Sequence, residues 1–149
     1  MNAGDLCNRE VVFTYRRTRL VEAARLMREH HVGSLVVVVD RRSERVPVGI
    51  LTDRDIVVAV VAKEIDPRTL TVGDVMTGEL LTVREHDGIQ DALRLMREKG
   101  VRRVPVITHS GALAGILTIN DLLELMAEEI GDFARTIDRE RVRETRTRR

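Results

Sequence analysis

Aromatic residues are almost missing: the chain has no tryptophan, one tyrosine and two phenylalanines. Phe13, Tyr15 and Phe133 cannot supply the stacking platforms on which single-stranded nucleic acid is laid out. Cysteine is scarcer still. Cys7 stands alone, which excludes an internal disulfide, fits a reducing cytoplasm and leaves this thiol an expected bystander. Net charge is nearly absent too, at +1, so wholesale electrostatic binding of nucleic acid is not indicated. No apolar run approaches the 18 or more residues of a membrane span; the longest is IVVAVVA, Ile56 to Ala62. No secretory signal is recognisable at the start, so a cytoplasmic location is expected. With 149 residues and 43% hydrophobic content, one soluble body is expected.

What the chain does have is a repeat. RLMRE at Arg25 to Glu29 returns at Arg94 to Glu98, and GILT at Gly49 to Thr52 returns at Gly115 to Thr118. The second spacing is three residues shorter than the first, which places the length change in one connecting loop. A duplicated unit frames the whole fold. Each copy alone, at about 60 to 70 residues, would bury a marginal core. Two copies facing one another across a pseudo-symmetric cleft are expected, and clefts of that kind bind ligands.

Both copies read alike. Val11 to Thr14 and Leu80 to Val83 are short β-prone runs. Leu20, Ala23, Ala24 and Met27, then Ile89, Ala92, Leu93 and Met96, each mark one apolar helix face. Thr18 and Asp87 stand where caps are expected, with Gln90 completing a capping box; the helices run to His30 or His31 and to Gly100. Leu35 to Val39 and Val104 to Ile107 are apolar and β-branched, as buried central strands are. After a polar loop (Asp40 to Val46, or Thr108 to Ala112) comes a strand at Val48 to Leu51 or Leu113 to Leu117, then a second helix from Thr52 or Thr118. The expected fold is α/β, two pseudo-symmetric β-α-β-β-α repeats packed as one module. The expected boundaries are an N-terminal segment 1–10, repeat one 11–66, a linker 67–78, repeat two 79–130 and an arginine-rich tail 131–149, frayed or disordered.

Four features together, the RLM helix, the GVRRVPV strand entry, the VGDVMT linker and the paired GILTxxD turns, resemble the tandem CBS domain, or Bateman module, over roughly Val11 to Ile130. The resemblance implies a regulatory module without catalysis. Such modules bind adenosine-containing ligands (AMP, ADP, ATP, S-adenosylmethionine or NAD, with magnesium accompanying ATP) in the clefts between repeats, and commonly pair into homodimers through their helices. The regulated partner stays unknown.

The TxxD turns have two readings. Thr52 with Asp55, and Thr118 with Asp121, have capping-box spacing. They also suit a nucleotide, since a helix N-terminus favours phosphate and a carboxylate accepts from ribose hydroxyls. The resemblance assigns the ribose acid to Asp55 and Asp121 and the threonine to Thr52 and Thr118. It draws the adenine walls from Leu81, Thr82 and Val83 and from Val101 to Val106, including Val104 and Pro105. Arg102 and Arg103 are either phosphate partners or solvated charges. In the first copy Gly33, Ser34 and Val36 occupy the aligned positions, and Arg54 stands where Asn120 stands in the second, so unequal sites are expected. A ligand-independent scaffold, and a dimeriser of a basic tail that binds RNA or membrane, are the rival functions. Adjacent His30 and His31 do not share a helix face, so no metal site is expected. Met27, Met76, Met96 and Met126 read as core filling.

Overall fold

The computed structural model describes residues 1–148, and its elements follow the repeat. In chain order they are α1 (Ala3–Leu6), β1 (Phe13–Thr14), α2 (Leu20–His30), β2 (Ser34–Arg41) and β3 (Glu44–Thr52). Next come α3 (Asp53–Ile56), which continues as a π-helical turn at Val57–Val61, and α4 (Val72–Val75). The second copy supplies β4 (Val83–Arg84), α5 (Ile89–Lys99), β5 (Arg103–Ile107), β6 (Leu113–Thr118) and α6 (Ile119–Thr147). Two three-stranded sheets result, β1-β2-β3 and β4-β5-β6, each with a parallel first pair and an antiparallel second pair. A parallel pair needs a crossover, and α2 and α5 provide it. Their buried residues, Leu20, Ala23 and Met27 in one and Ala92 and Met96 in the other, lie on the face the periodicity marks, but Ala24 and Leu93, expected on the same faces, are exposed. Both helices close on a left-handed residue, His31 (φ 53°) and Gly100 (φ 65°).

Three sequence expectations are corrected. The N-caps of α2 and α5 are Arg19 and Gly88, and neither makes a side-chain cap bond. Asp87 instead accepts from the Arg84 N–H at 2.8 Å, closing the turn before the helix. The extra residues of the first copy do not form a loop. They lengthen β2 and β3 into a hairpin in which Arg41 faces Glu44, the turn residues Arg42 (φ 49°) and Ser43 (φ 66°) both being left-handed, as a two-residue hairpin turn requires. The 131–149 segment is neither frayed nor disordered over its described part: α6 runs unbroken to Thr147.

The boundaries move as well. Val72 is fully buried in the first repeat's core with Leu20, Leu35, Val37, Leu51 and Val60, and Ala3 and Cys7 are buried in the second's with Val104, Val106 and Leu117. The backbone bonds match pair for pair. Val72 and Gly73 donate to Thr18 O and Arg16 O, while Ala3 and Gly4 donate to Asp87 O and Glu85 O. The segment expected as linker therefore completes repeat one, and the N-terminal segment completes repeat two. The signal is present in the sequence, Ala3-Gly4-Asp5-Leu6 against Val72-Gly73-Asp74-Val75, at the same offset as RLMRE. Each short helix opens with a capping box, Asn2 with Asp5 and Thr71 with Asp74.

From each short helix the chain crosses to the other sheet. Asn8 pairs with Ile116 beside β6 before Phe13 joins Val36 of β2; Thr77 pairs with Ile50 of β3 before Val83 joins Val106 of β5. The crossing explains the glycine of both GILT motifs. A Cβ on Gly49 would meet Thr77 O at 2.8 Å, and one on Gly115 would meet Asn8 O at 2.7 Å. Only a residue without a side chain lets the strand pass so close.

Candidate functional site

Where β6 ends, Thr118 has extended backbone (φ −118°, ψ 160°) and becomes the N-cap of α6. Its N–H donates to Asp121 Oδ2 at 2.7 Å, its hydroxyl donates to the same oxygen at 2.9 Å, and the Asp121 N–H donates to Thr118 Oγ1 at 3.3 Å. The first copy repeats the box: Thr52 N–H to Asp55 Oδ2 at 2.9 Å, and Asp55 N–H to Thr52 Oγ1 at 3.1 Å. The capping reading of the TxxD spacing is thus realised twice. Both boxes use Oδ2, and among the described residues no donor bonds to either Oδ1, which is left to accept from a further donor.

The first amide of each helix is taken by the neighbouring strand entry, Asp53 N–H by Gly33 O and Ile119 N–H by Arg102 O. The second amide differs between copies. Arg54 N–H donates to Asp53 Oδ1 at 2.8 Å, whereas Asn120 N–H is the uncommitted donor of its turn among the described residues. A helix N-terminus with a spare amide is the better seat for an anionic oxygen.

Each turn opens on a cleft between the repeats. Thr118, Asn120 and Asp121 line one of about 360 Å³, walled opposite by Val11, Val12 and Val32 and by Gly33 and Ser34. Thr52, Asp53 and Arg54 line the other, of about 440 Å³, walled by Leu80, Leu81, Gly100 and Val101. Arg102 and Arg103 border both, so one pair of cations serves two clefts. Glu10 in the first and Glu79 in the second are matched acids on the crossing segments.

Of the residues the sequence singles out, Thr118, Asn120, Asp121, Gly33, Ser34, Arg102 and Arg103 meet in one cleft, and Thr52 and Arg54 meet the same two arginines in the other. Several expected neighbours are not brought together. Asp121 does not sit with Leu81 to Val83, because the crossing gives Leu80 and Leu81 to the Thr52 turn and Val11 and Val12 to the Thr118 turn. Val83 and Val104 are buried in the second core, Pro105 is buried opposite Ile116 in the sheet, and Thr82 lines neither cleft. Asp55 is likewise absent from the walls, where Asp53 stands instead. Asn8, Glu10, Thr77 and Glu79 are wall residues that sequence reasoning missed; the AGDL and VGDV match identifies the segments carrying them.

A third hollow, of about 550 Å³, lies beside β1. Most of its polar groups are already engaged: the Tyr15 hydroxyl donates to Asp40 at 3.3 Å, the Arg9 guanidinium donates to Gly4 O at 3.0 Å, and the Arg45 guanidinium lies 4.2 Å over the Phe13 ring. Burial pushes the Cys7 thiol up from its ordinary 9.0, which disfavours the nucleophilic thiolate. Among the described residues no three His, Cys, Asp or Glu side chains are placed to hold a metal, and no helix is long and apolar enough to cross a membrane.

Comparison with known proteins agrees with this geometry. The CBS domain family model matches residues 3–62 and 72–128, each beginning at one of the exchanged short helices. An uncharacterized protein of Methanopyrus kandleri is 37% identical over 125 residues, 84% of this chain and 62% of its own length, so this chain spans less than two thirds of that relative. Hypoxic response protein 1 of Mycobacterium tuberculosis is 38% identical over 136 residues, 91% of this chain and 92% of that one. The crystal structure of hypoxic response protein I, with two coordinated zinc ions, matches at TM-score 0.71 and 37% identity over 83% of this chain and 98% of that chain. The CBS domain pair of protein MJ0100, in complex with 5-methylthioadenosine and S-adenosyl-L-methionine, shares the fold at TM-score 0.74 and 23% identity over 87% and 98% of the two chains. With two family matches on two pseudo-symmetric repeats, the chain belongs to the CBS-domain family as a tandem pair.

Proposed function

We propose that this CBS pair is a regulatory sensor of an adenine nucleotide, without catalysis of its own, acting in the cytoplasm as a homodimer that reports occupancy to a partner protein. The observation that carries the reading is the Thr118 turn. A carboxylate oxygen outside the capping box, a spare helix amide and two arginines converge on a cleft whose opposite wall is aliphatic. Such a set suits a ribose, an anionic phosphate and a purine respectively. The ligand classes follow from this chemistry and from the family: AMP, ADP or ATP, with magnesium accompanying ATP, and S-adenosylmethionine or NAD as further adenosyl ligands. AMP, ADP and ATP would make the protein an energy sensor.

The two completed capping boxes favour a second reading, a scaffold in which Asp55 and Asp121 do nothing but start helices. Calorimetry on ligand-free protein with each of the five ligands, with and without magnesium, separates them. The sensor reading expects Asp121→Ala to weaken binding by about one to two powers of ten, since a hydrogen bond to a charged group contributes roughly 1.5 to 3 kcal/mol. Asp55→Ala should leave binding within a few-fold, because Asp55 is not in the wall of its cleft. No heat with any ligand, from protein that melts cooperatively, leaves the scaffold.

A further inference from the structure

The second family match ends at residue 128, yet α6 continues to Thr147, and the continuation is where the largest apolar side chains stay outside. Leu122 is the last buried residue of the helix. Beyond it Leu123, Met126, Ile130, Phe133 and Ile137 are each more than half exposed, Phe133 at 72%, so Met126 does not fill a core as its sequence position implies. Their spacing alternates three and four residues without a break. That period, near 3.5, is the one at which apolar residues keep facing a second helix, the alternate positions interlocking as knobs into holes. It is narrower than the stripe a helix turns toward a globular core. A projecting helix that packs on nothing gains little from propensity alone, so its seam calls for a partner.

Charge says which partner, and in which direction. From Ile119 to Ala134 the helix carries Asp121, Glu124, Glu128, Glu129 and Asp132 and no lysine or arginine. From Arg135 to Arg148 it carries six arginines against Asp138, Glu140 and Glu144. A parallel pair would set acid beside acid and arginine beside arginine. An antiparallel copy sets the acidic half of one helix along the basic half of the other. Ala127 and Ala134, one heptad apart beside the seam, let two such helices approach closely.

We propose that α6 pairs with α6 of a second copy of this chain as an antiparallel two-stranded coiled coil, with Met126 level with the partner's Ile137 and Ile130 level with the partner's Phe133. The segment beyond the repeats is then a dimer clasp that fixes how two CBS pairs face each other, independent of any ligand.

Site-directed oxidation of the full chain, without nucleotide, tests it. Met126→Cys and Ile137→Cys are made separately, and wild type, whose buried Cys7 is its only thiol, is the control. Mixed after subunit exchange, the two variants should form a disulfide-linked heterodimer. Neither should link to itself, because the like positions lie about 16 Å apart along the pair. Phe133→Glu, at a site far from both cores and so harmless to folding, should weaken self-association at least tenfold by sedimentation. Self-linking of Met126→Cys would make the pair parallel and overturn the proposal. So would an unchanged association constant for Phe133→Glu, or a helix that stays unlinked and instead binds RNA or anionic vesicles through its arginines.

Discussion

Thr14 is the clearest residue-level cost in the molecule. It lies 3% exposed on β1, and its Oγ1 is buried without a hydrogen-bond partner among the described residues. Its counterpart in the second copy is Val83, packed in the same place on β4. Burying a hydroxyl that makes no bond costs on the order of 1 to 3 kcal/mol, while the shape of valine is nearly the same. Thr14→Val should therefore stabilise the chain by about 1 kcal/mol in urea denaturation, with the slope unchanged. A loss of stability would mean that the hydroxyl has a partner, water included. The glycines of the GILT motifs carry the opposite sign. A Cβ on Gly115 lies under 3.0 Å from Asn8 O, and backbone cannot move aside as a flexible side chain can. Gly115→Ala should cost about 1 to 3 kcal/mol, as overpacking does, and the same denaturation measurement reads it.

At the scale of elements the sequence was most legible where periodicity had a single answer. The buried positions of α2 and α5, the β-branched runs of β2 and β5 and the threonines that start α3 and α6 stand where spacing put them, while Ala24 and Leu93, on the same expected faces, are exposed. Thr18 and Asp87 have capping chemistry but sit one residue before the N-caps of α2 and α5, in turns where the Thr18 N–H donates to Tyr15 O and Asp87 accepts from the Arg84 N–H. The hairpin of the first copy looks like loop in the sequence because Arg42 and Ser43 take left-handed conformations that glycine or asparagine usually fills. The larger miss was topological. AGDL and VGDV are four residues each, too short to announce an element, and nothing local says that each completes the sheet unit of the other repeat. Their packing makes the prediction sharp. Removing residues 1–9 takes Ala3 and Cys7 out of the second core and frees the carbonyls of Glu85 and Asp87. The expected loss is about 3 kcal/mol or more, comparable with emptying a buried site, and hydrogen exchange should place it in β4 to β6 first. A deletion without effect on stability would show that the second core closes alone.

Exchange of the short helices ties the two repeats into a single body whose two clefts are shared between them. Neither cleft belongs to one repeat: the Thr118 turn of the second faces Val11, Val12 and Gly33 of the first, and the Thr52 turn of the first faces Leu80, Leu81 and Val101 of the second. Chemistry at each turn was legible as Thr and Asp three apart. Which wall it would face was not, because that depends on two crossings of the chain made far from the turn in sequence. Arg102 and Arg103, bordering both clefts, give the two sites a common electrostatic element, so an anion in one lowers the positive potential offered to the other.

A ligand seated between two units that have separate cores stabilises both, because it binds only when the walls from each are in place. At a nucleotide concentration near 100 times the dissociation constant the native state gains about 2.7 kcal/mol. If the Thr118 cleft holds the nucleotide, that gain should appear as slowed hydrogen exchange in β1 to β3 as well as in β4 to β6, although Thr118 and Asp121 lie in the second repeat alone. The α6 segment beyond Ile130 should not change, since it touches neither cleft. Asp121→Ala should remove the protection from both sheets together, with unliganded exchange altered only near the start of α6, where the capping box is lost. Protection confined to β4 to β6 would show that the ligand sits within the second repeat and does not span the cleft.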